Sequence, residues 1–176
     1  MEAKNRATLV ITTRNRKEEL LQALASALSQ SVPLEIIVLD DASTDGTPEA
    51  VEKAFPSVRL IRGEARRGYI RLRNRGAALA TTPYIFSIDD DAVFTSPRIV
   101  GQVLAEFGNP RVGAVAIPFV DVKLSPVIRQ RAPEEAGIYA TAMRAGSTAM
   151  VSTRRWRRYS ETAKRRSALR HSLLSR

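Results

Sequence analysis

Tyr84-Ile85-Phe86-Ser87-Ile88-Asp89-Asp90-Asp91 is the stretch that decides the fold. Five largely apolar residues form a run long enough for a buried strand and too short for a helix. Three consecutive carboxylates close it, so the strand would deliver concentrated negative charge to the edge of a sheet. Such charge is costly to gather unless a cation neutralises it. The chain has no Cys and one His, so an oxygen-ligated Mg²⁺ or Mn²⁺ suits it better than zinc or copper. A strand end followed by a solvated acidic turn would read the same in isolation, and the neighbouring segments therefore carry the weight.

Outward from that stretch the pattern alternates. Residues 7–12, 34–39 and 58–61 are β-rich apolar runs, and 112–120 is a fifth after the 84–88 strand. Between them, Leu20, Leu24 and Leu28 set a helical stripe over 17–29, Thr47-Pro48-Glu49 opens a helix ending near Phe55-Pro56, and helices are expected over 70–80 and from Ser96-Pro97 to Phe107. Thr47 is the expected cap. Strands alternating with helices, with near-continuous apolar runs, predict an α/β fold whose mostly parallel sheet is covered on both faces. Ligands of such sheets bind at the carboxyl ends of the strands. Three of those ends are polar here: Thr12-Thr13-Arg14-Asn15, Asp40-Asp41 and Asp89-Asp90-Asp91.

Charge divides the chain. Of 176 residues with a net charge of +10, the part from Arg144 onward holds ten Lys/Arg against the single acid Glu161, whereas residues 1–143 are balanced to within one charge. We expect one domain over 1–143 and a basic tail over 144–176. The abrupt change reads first as a shift of reading frame near Ser147 to Arg155. A tail that binds anionic lipid or nucleic acid, or an amphipathic helix, are the alternatives. The N-terminus shows no signal-peptide pattern and no stretch reaches the length of a membrane span. The expectation is a cytoplasmic protein, with peripheral contact at the inner membrane face open to it.

Two nucleotide signatures are missing. There is no G-x-G-x-x-G, and although Gly63 and Gly68 have phosphate-loop spacing, Tyr69-Ile70 stands where Lys-Ser/Thr is required. Nucleotidyltransferases share the sheet and metal logic but use a Gly-rich N-terminal loop, which Thr12-Thr13-Arg14-Asn15-Arg16 lacks.

Val10-Ile11-Thr12-Thr13-Arg14-Asn15-Arg16, then Asp40-Asp41-Ala42-Ser43-Thr44-Asp45-Gly46-Thr47, then Arg73-Asn74-Arg75-Gly76 and the Asp89-Asp90-Asp91 triplet in D-x-D form together resemble the family 2 glycosyltransferases of the GT-A fold. The agreement covers about residues 7 to 120. Arg14 departs from the Tyr usual in the family, which touches the base-stacking contact. The resemblance implies a nucleoside-diphosphate sugar as donor, a UDP-sugar first. It implies that Thr12, Thr13, Arg14, Asp41, Arg73, Asp89 and Asp90 hold the nucleotide, and that Asp91 with Asp89 holds Mn²⁺ or Mg²⁺. Asp41 alone could equally be an Asx-turn serving Ser43 and Thr44. Arg66, Arg67, Arg71 and Arg75 read as a solvated face, with Arg73 directed to the diphosphate. The complete family domain transfers its sugar with inversion to an acceptor hydroxyl, here a glycan or lipid-linked glycan. It carries an acidic base in a later Glu-Asp segment. After Glu135 this chain has only Glu161, so the catalytic base is expected to be missing and transfer impaired. The other function class is a non-catalytic nucleotide-fold module whose basic tail binds nucleic acid or anionic membrane. Stacking platforms are scarce beyond Trp156 and Tyr159, which disfavours nucleic acid.

Overall fold

The computed structural model describes residues 7–117 and the backbone of 150–153. Among the described residues, six strands and four helices follow one another as β1 (Ala7–Thr13), α1 (Lys17–Leu28), β2 (Leu34–Asp40), α2 (Thr47–Ala54), β3 (Arg59–Arg62), α3 (Tyr69–Leu79), β4 (Tyr84–Asp89), α4 (Ile99–Glu106), β5 (Ala114–Ala116) and β6 (Met150–Thr153). All strands join one sheet in the order β3-β2-β1-β4-β6-β5. The first four in that order run parallel, whereas β6 lies antiparallel to both β4 and β5. The sheet is therefore mostly parallel and α/β, as the alternation predicts.

Side chains alternate across the sheet and sort into two cores. Leu9, Ile11, Ile36, Val38, Phe86 and Ile88 face α1, α2 and α4, where Leu20, Leu24, Val51, Val100 and Val103 complete the larger cluster. Val10, Ile37, Leu39 and Ile85 face the other way and pack on Leu72 and Ala80 of α3 and its end. The chirality of crossovers accounts for the placement of α3. The chain steps outward from β1 to β2 to β3, then reverses past them to β4, and a right-handed crossover in the reverse direction carries its helix to the opposite face. Close approach of α3 depends on Gly76, since a Cβ there would lie 2.4 Å from Val10 Cγ1 and 2.6 Å from Leu39 Cδ1.

Differences from the sequence expectation are local. Thr47 is the first residue of α2 instead of its cap. The cap position is Gly46 at φ 81°, and Asp45 before it accepts from Thr47 N at 3.0 Å and Thr47 Oγ1 at 2.5 Å through Oδ1. The helix after Ser96-Pro97 begins at Ile99. The fifth strand covers three residues of the predicted nine, and 118–120 lie outside the described residues. So do the tail and the proposed frame change, apart from the backbone of β6. Among the described residues, no helix is long and apolar enough to cross a membrane.

Candidate active site at the carboxyl ends of three strands

The strand order reverses between β1 and β4, and their carboxyl ends open a crevice where an α/β sheet receives ligands. Register fixes what meets there. Thr12 pairs with Leu39 and Asp89, and Thr13 with Asp40, so the polar ends of β1, β2 and β4 come side by side. An open cleft of about 590 Å³ occupies this edge, within the usual range for small-molecule sites. Its lining brings together Thr12, Thr13, Arg14, Asp41, Arg73, Asp89, Asp90 and Asp91. Arg16, Arg66 and Tyr69 also line it, and none of them was expected among the site residues.

The two acidic strand ends are wired differently. Asp41 is buried, and its carboxylate accepts the main-chain N–H of Arg67 at 2.6 Å and of Gly68 at 3.0 Å. It is not the Asx-turn residue for Ser43 and Thr44. Asp40 takes the Ser43 N–H at 3.0 Å, and Thr44 N donates to Asn15 Oδ1 at 2.8 Å. Alternation along β2 puts Asp41 on the face of Ile37 and Leu39, toward α3, and Ala42 at φ 60° turns the chain beyond it. Asn15, also at positive φ, receives its own return bond, since its N–H donates to Ser43 Oγ at 2.9 Å. Asn tolerates this left-handed conformation well. The β1–α1 and β2–α2 loops are thereby strapped together.

In the triplet, arginines from other elements meet each carboxylate. Arg73 of α3 pairs with Asp89. Arg16, at the start of α1, bonds Asp91 Oδ2 at 2.6 Å and lies 3.5 Å from Asp90 Oδ1. Burial pushes the Asp90 carboxyl above its ordinary range, with Arg16 pulling the other way. Arg16 is held further in its charged form by the bond to Asp91 and by the charge of Asp90. Arg66 was expected on a solvated face. It is exposed yet lines the cleft, because Asp41 draws its loop over the strand ends.

The donor set suits a hard divalent cation. Among the described residues, no three acidic or His side chains close into a protein cage. Mg²⁺ and Mn²⁺ sites of this kind take one or two carboxylates and leave the remaining positions to water and substrate phosphate. Asp91, with its side chain 44% exposed, and Asp89 beside it offer that partial set.

Residues 8–171 match the family model described as glycosyl transferase family 2. The chain belongs to that family. Among curated relatives of this family 2 chain is the succinoglycan biosynthesis protein ExoU of Rhizobium meliloti (strain 1021), 31% identical over 116 residues, which are 64% of this chain and 33% of that protein. Another is the UDP-Glc:alpha-D-GlcNAc-diphosphoundecaprenol beta-1,3-glucosyltransferase WfaP of Escherichia coli, 31% identical over 54% of this chain and 39% of its own length. The chain thus spans about a third of these two relatives. Among solved structures, mannosyltransferase PcManGT from Pyrobaculum calidifontis, in complex with GDP-Man and Mn²⁺, superposes with a TM-score of 0.66. It is 23% identical and aligns with 85% of this chain and 45% of its own, a likeness of GT-A fold.

Proposed function

We propose that the cleft binds a nucleoside-diphosphate sugar together with Mn²⁺ or Mg²⁺, as the donor site of a glycosyltransferase. One observation carries this reading: acidic and basic side chains line the same cleft at the reversal of strand order. Asp89 and Asp91 lie on one wall, with Arg14, Arg16, Arg66 and Arg73 around them. A purely acidic cleft would repel a diphosphate, and a purely basic one would repel the cation. Asp91, with Asp89, would hold the metal, and Arg73 would neutralise part of the diphosphate charge. A bound divalent ion supplies Lewis-acid stabilisation of the leaving diphosphate. Thr12, Thr13, Arg14 and Asp41 frame the nucleoside end, Asp41 chiefly by fixing the Arg67-Gly68 loop. Asp90, buried beside them, shapes the floor.

The reaction we assign is in-line displacement at the anomeric carbon with inversion. An acceptor hydroxyl of a glycan or lipid-linked glycan forms the new C–O bond as the bond to the diphosphate breaks. The acceptor proton must pass to a general base. Among the described residues every triplet carboxylate faces an arginine and Asp41 faces main-chain donors, so none is free for that task. We therefore propose donor binding with slow transfer. A UDP-sugar is the first choice, supported by the donor named for the E. coli relative, and GDP is the alternative, since the mannosyltransferase of like fold holds GDP-Man.

Titration calorimetry tests this. UDP or GDP with Mn²⁺ should give binding heat that disappears with EDTA. Metal-independent heat, or none with either nucleotide or dTDP, would overturn the donor-site reading.

A further inference from the structure

We infer that Arg16 is a second cation for the donor diphosphate, parked on Asp90 and Asp91 until the metal–nucleotide complex arrives. This rests on the donor-site reading above and adds a residue and an order of events to it. Within the chain itself, the triplet is largely neutralised by arginines. Arg73 covers Asp89, and Arg16 covers Asp91 at 2.6 Å with Asp90 at 3.5 Å. These pairs differ in how easily they part. Arg73 is the more enclosed, with its Nε buried and without a hydrogen-bond partner among the described residues. Arg16 and Asp91 have side chains 48% and 44% exposed. An ion pair in that much water is weakly held.

The backbone beneath Arg16 is fixed while its side chain is not. Asn15 is strapped to Ser43 and Thr44, and Lys17 N donates to Asp45 Oδ2 at 3.3 Å. A long side chain on a fixed base can leave Asp91 by changing rotamer and still reach the cleft it already lines. A divalent ion arriving alone must displace Arg16 from Asp91 and then sit beside an unpaired guanidinium. When the ion arrives with a diphosphate, the displaced guanidinium meets phosphate oxygens, for which its planar fork is well matched. Arg16 thus makes an acidic triplet selective for metal carried by a diphosphate over free metal.

Calorimetry on the full chain separates the effects, with MnCl₂ alone and then with Mn²⁺ plus whichever of UDP, GDP or dTDP the unaltered protein binds. Arg16→Gln should bind Mn²⁺ alone about fivefold more tightly, the scale of an exposed ion pair. It should bind the metal–nucleotide complex about tenfold more weakly, the scale of a charged hydrogen bond. Opposite signs are the signature, because general damage would weaken both. Unchanged or weaker Mn²⁺ binding by a folded Arg16→Gln overturns the proposal. Should that variant melt early, Arg16→Lys answers instead. It keeps the charge and loses the fork, so free Mn²⁺ binding should stay as in the parent while the complex weakens, and an unweakened complex overturns the proposal. Binding of the complex that is lost in Asp91→Ala but unmoved in both titrations by Arg16→Gln sinks Arg16 alone. If no nucleotide binds the unaltered protein, the donor site fails and Arg16 falls with it.

Discussion

At the end of β2, Asp41 is buried and accepts two main-chain N–H groups; at the end of β4, Asp89 and Asp91 face guanidinium groups at the cleft surface. These are the same side chain at comparable positions of two parallel strands in one sheet, separated by the single strand β1. Main-chain donors cannot leave, so Asp41 serves as a fixed strut that sets the Arg67-Gly68 turn. Side-chain donors can leave, so the β4 carboxylates remain exchangeable for a metal ion. What a carboxylate at a strand end does is decided by who donates to it.

The sharpest way to break this contrast is Asp91→Ala. Metal-dependent nucleotide binding should weaken by about 100-fold, at least the loss seen when groups supporting a metal ligand are removed. Stability should stay within about 0.5 kcal/mol, because the side chain is exposed and its pair is a surface one. Calorimetry and urea denaturation on the same preparation read both quantities. A large loss of stability with intact binding would reverse the assignment.

Asp41→Ala should show the opposite profile. Two N–H groups in a partly buried turn lose their acceptor, which costs about 2 kcal/mol in urea denaturation. Nucleotide affinity should fall as a consequence of the turn relaxing. Asp41→Asn keeps one carbonyl acceptor and should recover part of the stability. If Asp41→Ala is as stable as the parent, the strut is not structural.

The sequence carried the sheet because its signals are local. Apolar strand runs, the Thr47-Pro48-Glu49 helix start and the glycine at 76 each follow from a few adjacent residues. Position 76 shows the limit, since the motif named the glycine and only the packing against Val10 and Leu39 shows why no larger residue fits. The partners of Asp41 lie 26 and 27 residues away, across an intervening helix and strand. No spacing rule points to them. Arg16 and Arg66 were illegible for a different reason. An arginine beside a helix start reads as solvated unless the carboxylates it meets, 75 positions along for Arg16, are known to be across the crevice. The insertion of β6 between β4 and β5 is likewise a pairing between distant segments, and apolar runs do not encode pairing order.

Ala42 sharpens the contrast at smaller scale. Its φ of 60° lies where a Cβ is strained, and it turns the chain directly after Asp41. Ala42→Gly should stabilise the chain by about 1 kcal/mol if the turn is held as tightly as the Asp41 bonds imply, since the left-handed conformation costs an L-residue that much. Loss of stability would mean that the glycine's added freedom in the unfolded chain outweighs the relieved strain. The direction of the urea midpoint shift, at unchanged slope, distinguishes the two.

Glu35, at the opposite end of β2, extends the fixed class to a carboxylate with no place in the cleft. It accepts from Thr8 Oγ1 at 2.5 Å, Thr81 Oγ1 at 3.0 Å and Thr81 N at 3.2 Å. Burial works to raise its pKa, yet these bonds together outweigh it and hold the carboxyl below its ordinary value. The unfolded chain therefore takes up this proton first as pH falls. Glu35 contributes stability above the ordinary glutamate range near 4.3, and that contribution is lost as pH drops through its lower folded value. Glu35→Gln should remove this share of the acid sensitivity while leaving metal-dependent nucleotide binding untouched, because the residue stands at the far end of the strand. Denaturation midpoints measured from pH 7 down to pH 3 should fall more gently in Glu35→Gln than in the parent. Parallel curves would mean that this mixed set of hydroxyl and main-chain donors leaves the Glu35 carboxylate loosely held, and that it stands outside the fixed class.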